Sequence, residues 1–430
     1  MRTLSSLALT VIVTAAPSLV FAAAPGVSAP ALRGAPVEFY LFGLTLVGIG
    51  FLHKHALWVS LAGLAAVLVY QGLVSGFPTG FGVAALAAHA HHEWVVLSNI
   101  LLLLVGFEVL SNQFERSNLP DHMPSLLPDN WTGGLVLLAI VFAMSAVLDN
   151  IAAAMIGGVM AKHVYDSKVS IGFLAAIVAA ANAGGAGSVI GDTTTTLMWL
   201  HGVSPRAILP AFIASAVAFL VFGTVGALAQ HRHQPILARD APGHPIAWRR
   251  VVIVGLVLVA AVAANVTANT LTRGEEVAPW LGLAVWVALL ATAPLAKPDW
   301  SVIRPALKGA VFLVGLVASA SLMPVNALPE PSWATTLGLG FLSSVFDNIP
   351  LTALALQQGG YDWGLLAYAV GFGGSMIWFG SSAGVALTNL YPEGRSVFAW
   401  LRQGWYIPLA YVAGYAALFL LLGWTPGGVH

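Results

Sequence analysis

Ser145-Ala146-Val147-Leu148-Asp149-Asn150-Ile151 sets an acid and an amide inside apolar sequence, and Ser343-Ser344-Val345-Phe346-Asp347-Asn348-Ile349 repeats the pattern. The two aspartates are 198 residues apart in a chain of 430. A carboxylate at the centre of a membrane helix costs roughly 2.5–3.5 kcal/mol on insertion scales, so two in matching places need a purpose. Such a pair points to a duplicated transporter whose ion site lies between its halves.

The flanking composition supports a membrane setting. Hydrophobic residues make up 58% of the chain and charged residues 8%, with a mean hydropathy of +0.87, which excludes an ordinary soluble surface. Apolar runs at 39–51, 56–70, 95–109, 135–148, 207–228, 251–264 and 407–422 reach, with their flanks, the length that spans a hydrocarbon core of about 30 Å. They lack the in/out alternation of barrel strands, so an all-α polytopic membrane protein is expected. Trp58, Trp94, Trp131, Trp199, Trp248, Trp280, Trp300, Trp333, Trp400, Trp405 and Trp424 stand near segment ends, as in an interfacial aromatic belt. Zero net charge offers nothing to nucleic acid, and the absence of cysteine removes disulfides and thiolate chemistry. With no P-loop, nucleophile elbow or zincin signature, neither a cofactor nor an enzymatic activity is expected.

Residues 1–24 read as a signal peptide: Arg2, an apolar core, then small residues before Pro25. Residues 37–229 and 251–430 are expected to form two membrane repeats. Between them, 230–250 carries His231, Arg232, His233, Arg239, His244, Arg249 and Arg250 against Asp240, which predicts a cytoplasmic linker. Residues 111–131 read as an exposed loop, and His89, His91 and His92 before Glu93 as another. Glu108 reads either as a proton relay or as a side chain snorkelling to the interface.

A second pair of motifs follows the first. Asn182-Ala183-Gly184-Gly185 with Gly191-Asp192-Thr193 is matched by Gly371-Phe372-Gly373-Gly374 with Gly380-Ser381-Ser382. Gly184, Gly185 and Gly191 align with Gly373, Gly374 and Gly380 at a common spacing of 189 residues. Each half therefore holds an Asp-Asn break and then a glycine-rich break, in the same order. Pro350 removes a backbone donor and disfavours helix at Ile349, so the chain is expected to unwind at Asp347-Asn348 and, by the repeat, at Asp149-Asn150. The freed carbonyls and these side chains make an oxygen-rich cluster able to replace a cation's water. The glycine-rich breaks suit the tips of re-entrant hairpins. Asp192 is placed to cap a helix at Thr193 and to add a third carboxylate, while Thr193, Ser381 and Ser382 offer neutral oxygens.

Together, the stretches at 145–150, 181–195, 347–350 and 373–385 resemble the NhaD-type sodium/proton antiporters of the ion-transporter superfamily, which also contains citrate and arsenite carriers. The resemblance covers roughly residues 90–390. It implies inverted repeats, each with a broken helix and a re-entrant hairpin, assembled as a homodimer in the lipid of a bacterial inner membrane. It also implies that sodium or lithium binds at Asp149 and Asp347, with Asn150, Asn348, Asp192, Thr193, Ser381 and Ser382 around it, in exchange for protons. An anion carrier for an organic acid such as citrate, or for arsenite, is the alternative within the superfamily. Two fixed negative charges in a low-dielectric cavity repel an anion and attract a cation, which favours antiport.

Overall fold

A computed structural model describes residues 31–32, 35–52, 55–78, 80–122, 127–237, 245–272, 278–324, 327–346 and 348–427. The expected signal peptide and Asp347 lie outside the described residues. Among those residues, the sheet content is the antiparallel pairing of Ala31–Leu32 with Ala35–Pro36. Most of the rest is helical, with an isolated antiparallel bridge between Phe77 and Gly80.

The first half contains α1 (Val37–Phe51), α2 (Ala56–Tyr70, continued by a π-helical turn Gln71–Ser75), α3 (Gly82–Glu115) and α4 (Trp131–Ser145). It continues with α5 (Asn150–Val164), α6 (Ile171–Gly185), α7 (Thr193–Leu200) and α8 (Ala211–His233). The second half contains α9 (Trp248–Thr272), α10 (Trp280–Thr292), α11 (Ile303–Ser321), α12 (Trp333–Ser343) and α13 (Asn348–Gln358). It ends with α14 (Trp363–Gly373), α15 (Ser382–Leu390), α16 (Val397–Gln403) and α17 (Tyr406–Leu422). The segments Ala56–Ser75, Gly82–Glu115, Pro205–His233 and Trp300–Ser321 are each long and apolar enough to cross a membrane, and α16 and α17, bent by 60° where they meet, have the combined length of a broken span or a re-entrant loop. The protein is an all-α, multi-pass membrane protein.

The two kinds of break exchange roles relative to the sequence expectation. A Cβ added to Gly157 of α5 would run into Val141 of α4, and one added to Gly134 would lie 2.9 Å from the Tyr165 hydroxyl. The helices α4 and α5 therefore lie antiparallel, and 146–149 is the tip of a re-entrant hairpin. Both of its open ends sit beside the end of α8: Leu237 N donates to Val164 O at 2.9 Å, and Gly133 abuts Ile236. By contrast, α6 starts at this face, where Ser170 N donates to Gln230 Oε1 at 2.9 Å, and α7 then goes on to pack against α3, α13 and α14. Gly184, Gly185 and Gly191 thus interrupt a span rather than turn a hairpin. The reason is that the turn at 146–149 needs only an N-cap to restart a helix beside the first, whereas the longer 186–192 segment carries the chain forward.

The second half repeats this upside down. Gln358 Nε2 donates to Pro329 O at 2.8 Å, bringing the end of α13 back to the entrance of α12. Gly364 at the start of α14 touches Pro210 at the start of α8, so this hairpin opens on the face opposite the first. Matching hydrogen bonds tie hairpin to broken span within each half: Ser145 Oγ donates to Ala181 O at 2.5 Å, and Ser343 Oγ to Val370 O at 2.7 Å. A Cβ on Gly191 would strike Ser145 O, and one on Gly380 would lie 2.5 Å from Ser344 O, so only glycine lets each break approach its hairpin.

Helix restarts leave amides without backbone partners, and side chains cap several of them. Asp149 accepts from Ile151 N, Ser170 from Phe173 N, Asp192 from Thr194 N, Asp362 from Leu365 N and Ser381 from Gly384 N. Asn150 and Asn348 are accordingly the first residues of α5 and α13, not unwound as expected. Pro350 sits in the first turn of α13, where no backbone donor is required of it, so it starts the helix instead of breaking it.

Three further expectations are corrected. The stretch 111–131 is helical through Glu115, because no proline interrupts the chain before Pro120, and α3 ends near Asn118, at φ 61°. The histidines also lie on α3: His91 and His92 are exposed, while His89 and Glu93, one turn apart, are buried, and His89 Nε2 meets Ser321 Oγ at 3.1 Å. Trp199 and Trp400 are buried, unlike exposed Trp58, Trp248 and Trp405, and Trp400 Nε1 donates to Ser375 O at 3.3 Å.

Candidate functional site

Asp149 stands half-buried at the tip of the first hairpin, its Oδ2 accepting from Ile151 N at 3.1 Å. Asn150 is buried, and its amide nitrogen donates to Asn182 Oδ1 at 3.2 Å and to Asp192 Oδ1 at 3.3 Å. This is the contact between the hairpin tip and the broken span α6–α7. Asp192, 1% exposed, also accepts from Thr194 N at 3.3 Å and Thr193 Oγ1 at 3.5 Å. Its peptide oxygen takes the hydroxyls of Thr195 and Thr196 at 3.0 and 2.9 Å, so the threonine run winds the first turn of α7 around the carboxylate.

The two broken spans meet where Asn182 Nδ2 donates to Ser375 Oγ at 3.0 Å. The repeat-equivalent contact is Gly371 against Ala186, 3.5 Å from the ideal Cβ position to Ala186 Cβ. The absence of a side chain at Gly371 also makes room for Asp192, whose Oδ2 would be 3.2 Å from such a Cβ.

These groups open onto a cavity of about 300 Å³ between the halves. Asp149, Asn150, Asp192 and Thr193 reach it from the first half, and Asn348 and Ser382 from the second. Ser381 is buried behind Ser382 as the cap of α15 and is absent from the lining. Apolar side chains of α3 and α11, among them Leu103, Phe107, Leu313 and Val317, close the other side, with Glu108 at its border. Glu108 is exposed overall and also contributes to the cavity lining. No lysine or arginine lines the cavity among the described residues. Carboxylate, amide and hydroxyl oxygens in an apolar shell suit a hard cation or a proton and disfavour an anion.

The sequence reading left Asn182 and Ser375 out of the site. The signal for Asn182 was present: one amide within the run Ala179-Ala180-Ala181-Asn182-Ala183, on a helix buried all round. Ser375 carries no comparable signal, since a serine in a glycine-rich turn is ordinary.

The sequence matches the citrate transporter family over residues 44–373. It is 27% identical over 423 residues to sodium/proton antiporter 1 of Arabidopsis thaliana, covering 88% of this chain and 71% of that one. It is 25% identical over 406 residues to the Na(+)/H(+) antiporter NhaD of Vibrio parahaemolyticus, covering 81% and 95%. The Vibrio cholerae NhaD antiporter is similar at 26% identity over 397 residues, covering 80% and 82%. Two inverted repeats meeting at a cavity that carries carboxylates in an apolar shell, within a match that spans well over half the chain, place this protein in the citrate transporter family, as a membrane transporter rather than an enzyme.

Proposed function

We propose that this protein is a secondary antiporter exchanging sodium or lithium for protons across a bacterial inner membrane. The observation that carries the reading is the cavity between the repeats that holds Asp149 and Asp192 in an apolar shell, with no arginine or lysine in its lining among the described residues. The relatives named as sodium/proton antiporters support it. In this reading Asp149 and Asp347 are the exchanging carboxylates. Asn150, Asn348, Asp192, Thr193, Ser381 and Ser382 provide or position the remaining oxygens. Carboxylates facing one low-dielectric space repel one another when ion-free, and either a sodium ion or a proton relieves that repulsion. Only loaded forms then cross readily, which enforces exchange. A homodimer and a cytoplasmic position for the loop between α8 and α9 belong to the same proposal.

Inside-out vesicles with an imposed pH gradient test it. Added sodium is expected to dissipate the gradient with the wild-type chain, and Asp149→Asn or Asp347→Asn to abolish the response. Full sodium-dependent dissipation by both variants would sink the carboxylate role. Citrate or arsenite transport indifferent to both substitutions would favour the anion-carrier alternative.

A further inference from the structure

A second group of buried oxygens lies outside the cavity, at one end of the α1–α2 hairpin. Glu38 and Gln71 are 2% and 3% exposed. They end two buried stripes, Glu38 with Phe42 and Thr45 on α1, and Gln71 with Val67 and Ser60 on α2. Gly63 sits against Thr45, which sets the antiparallel register of the hairpin and brings Glu38 level with Tyr70 and Gln71. Here α2 widens into the π-helical turn Gln71–Ser75, closed by Gly76 N donating to Gln71 O at 2.8 Å. Wide turns of this kind are frequent at functional sites.

Glu38 Oε2, Tyr70 Oη, Gln71 Oε1 and Ser75 Oγ are all buried and make no hydrogen bond. Gln71 is held in one orientation because its Nε2 donates to Leu322 O, just past α11, at 2.6 Å. Its carbonyl oxygen is left facing away from that bond. Buried oxygens without donors are rare, and a buried carboxylate without a counter-charge is costly.

We propose that these four oxygens form a binding site for a monovalent alkali cation of sodium's class, separate from the transport cavity. Carboxylate, amide, hydroxyl and phenol oxygens are hard ligands suited to such an ion. Charge selects the valence: one carboxylate neutralises one positive charge, and a divalent ion would leave an uncompensated charge in low dielectric. The site is on the face opposite the loop between α8 and α9. Leu322 follows Ser321, which meets His89 near the start of α3, whereas the far end of α3 meets that loop through Ser117 O and Ala247 N. A bound ion there ties α1 to α2, and Gln71 in turn holds that hairpin to the segment after α11 through Leu322 O.

The proposal does not rest on the antiport reading, and its test removes the transport carboxylates first. Full-length purified protein carrying Asp149→Asn and Asp347→Asn is titrated with sodium chloride against choline chloride at constant ionic strength while thermal unfolding is followed. A saturable sodium-dependent rise in Tm is expected, with Glu38→Gln raising the sodium midpoint about tenfold. Tyr70→Phe, which removes one oxygen and keeps the ring, is expected to raise the midpoint while leaving the Tm in choline unchanged. If Glu38→Gln does not fold, Tyr70→Phe decides. No sodium response, or one indifferent to the substitutions at Glu38 and Tyr70, overturns the site. So does a Glu38→Gln protein as stable in choline as the parent is in saturating sodium, since the carboxyl would then hold a proton.

Discussion

Asp192 performs two tasks that a substitution can separate. Its side chain caps α7 through Thr194 N and also faces the cavity as a carboxylate. Asparagine keeps an oxygen able to cap, whereas alanine loses the cap at a cost of about 1 kcal/mol. Asp192→Asn is therefore expected to melt close to the wild-type Tm and yet lose most sodium-dependent gradient dissipation. Asp192→Ala is expected to lose both. Melting curves and the vesicle assay, run on the same preparations, distinguish the outcomes. Equal activity of Asp192→Asn and wild type would reduce Asp192 to a cap.

Among the elements, the breaks are held by backbone-to-backbone approach. The position of Gly191 against Ser145 O leaves no space for a methyl group, and overpacking typically costs about 1–3 kcal/mol. Gly191→Ala is expected to lower Tm and to impair transport, because relief requires moving the hairpin tip that carries Asp149. Gly255 on α9 has no atom within 4 Å of its ideal Cβ position, so Gly255→Ala is the control and is expected to leave both unchanged. A Gly191→Ala protein with wild-type Tm and transport would refute the close-approach account.

For the whole molecule, the inverted repeats bring two hairpin tips and two broken spans to one cavity approached from opposite faces. If sodium and a proton share that cavity, they compete. Lowering pH is then expected to raise the sodium concentration for half-maximal exchange, by about tenfold per pH unit in the range where one proton competes. Measuring the sodium dependence of gradient dissipation at several pH values checks this. A half-saturation constant independent of pH, with only the maximal rate changing, would rule out a shared site.

Much of this was legible in the chain. Helical membrane architecture follows from apolar length, and duplication from two motifs repeated in order at spacings of 198 and 189 residues. Asp149, Asn150, Asp192, Thr193, Asn348 and Ser382 were nominated from those motifs, and the structure brings all six to one cavity. Cap chemistry at Asp192 was legible as well, since an acid before a helix start binds free amides wherever it occurs.

Only the tertiary structure decided which break turns back and which carries the span forward. Asp-Asn and glycine-rich sequence both permit a change of direction, but neither specifies it. Direction is set by partners distant in sequence: Leu237 holding the end of α5, Gln230 holding the start of α6, Gln358 closing the second hairpin. The meeting of Asn182 with Ser375, and of Gln71 with Leu322, likewise depends on helices from opposite halves. Local sequence determines where a helix may stop and what chemistry it carries, because caps and sterics act over a turn. Long-range packing determines where the next helix goes, because that choice is made by contacts that reach across more than half the chain.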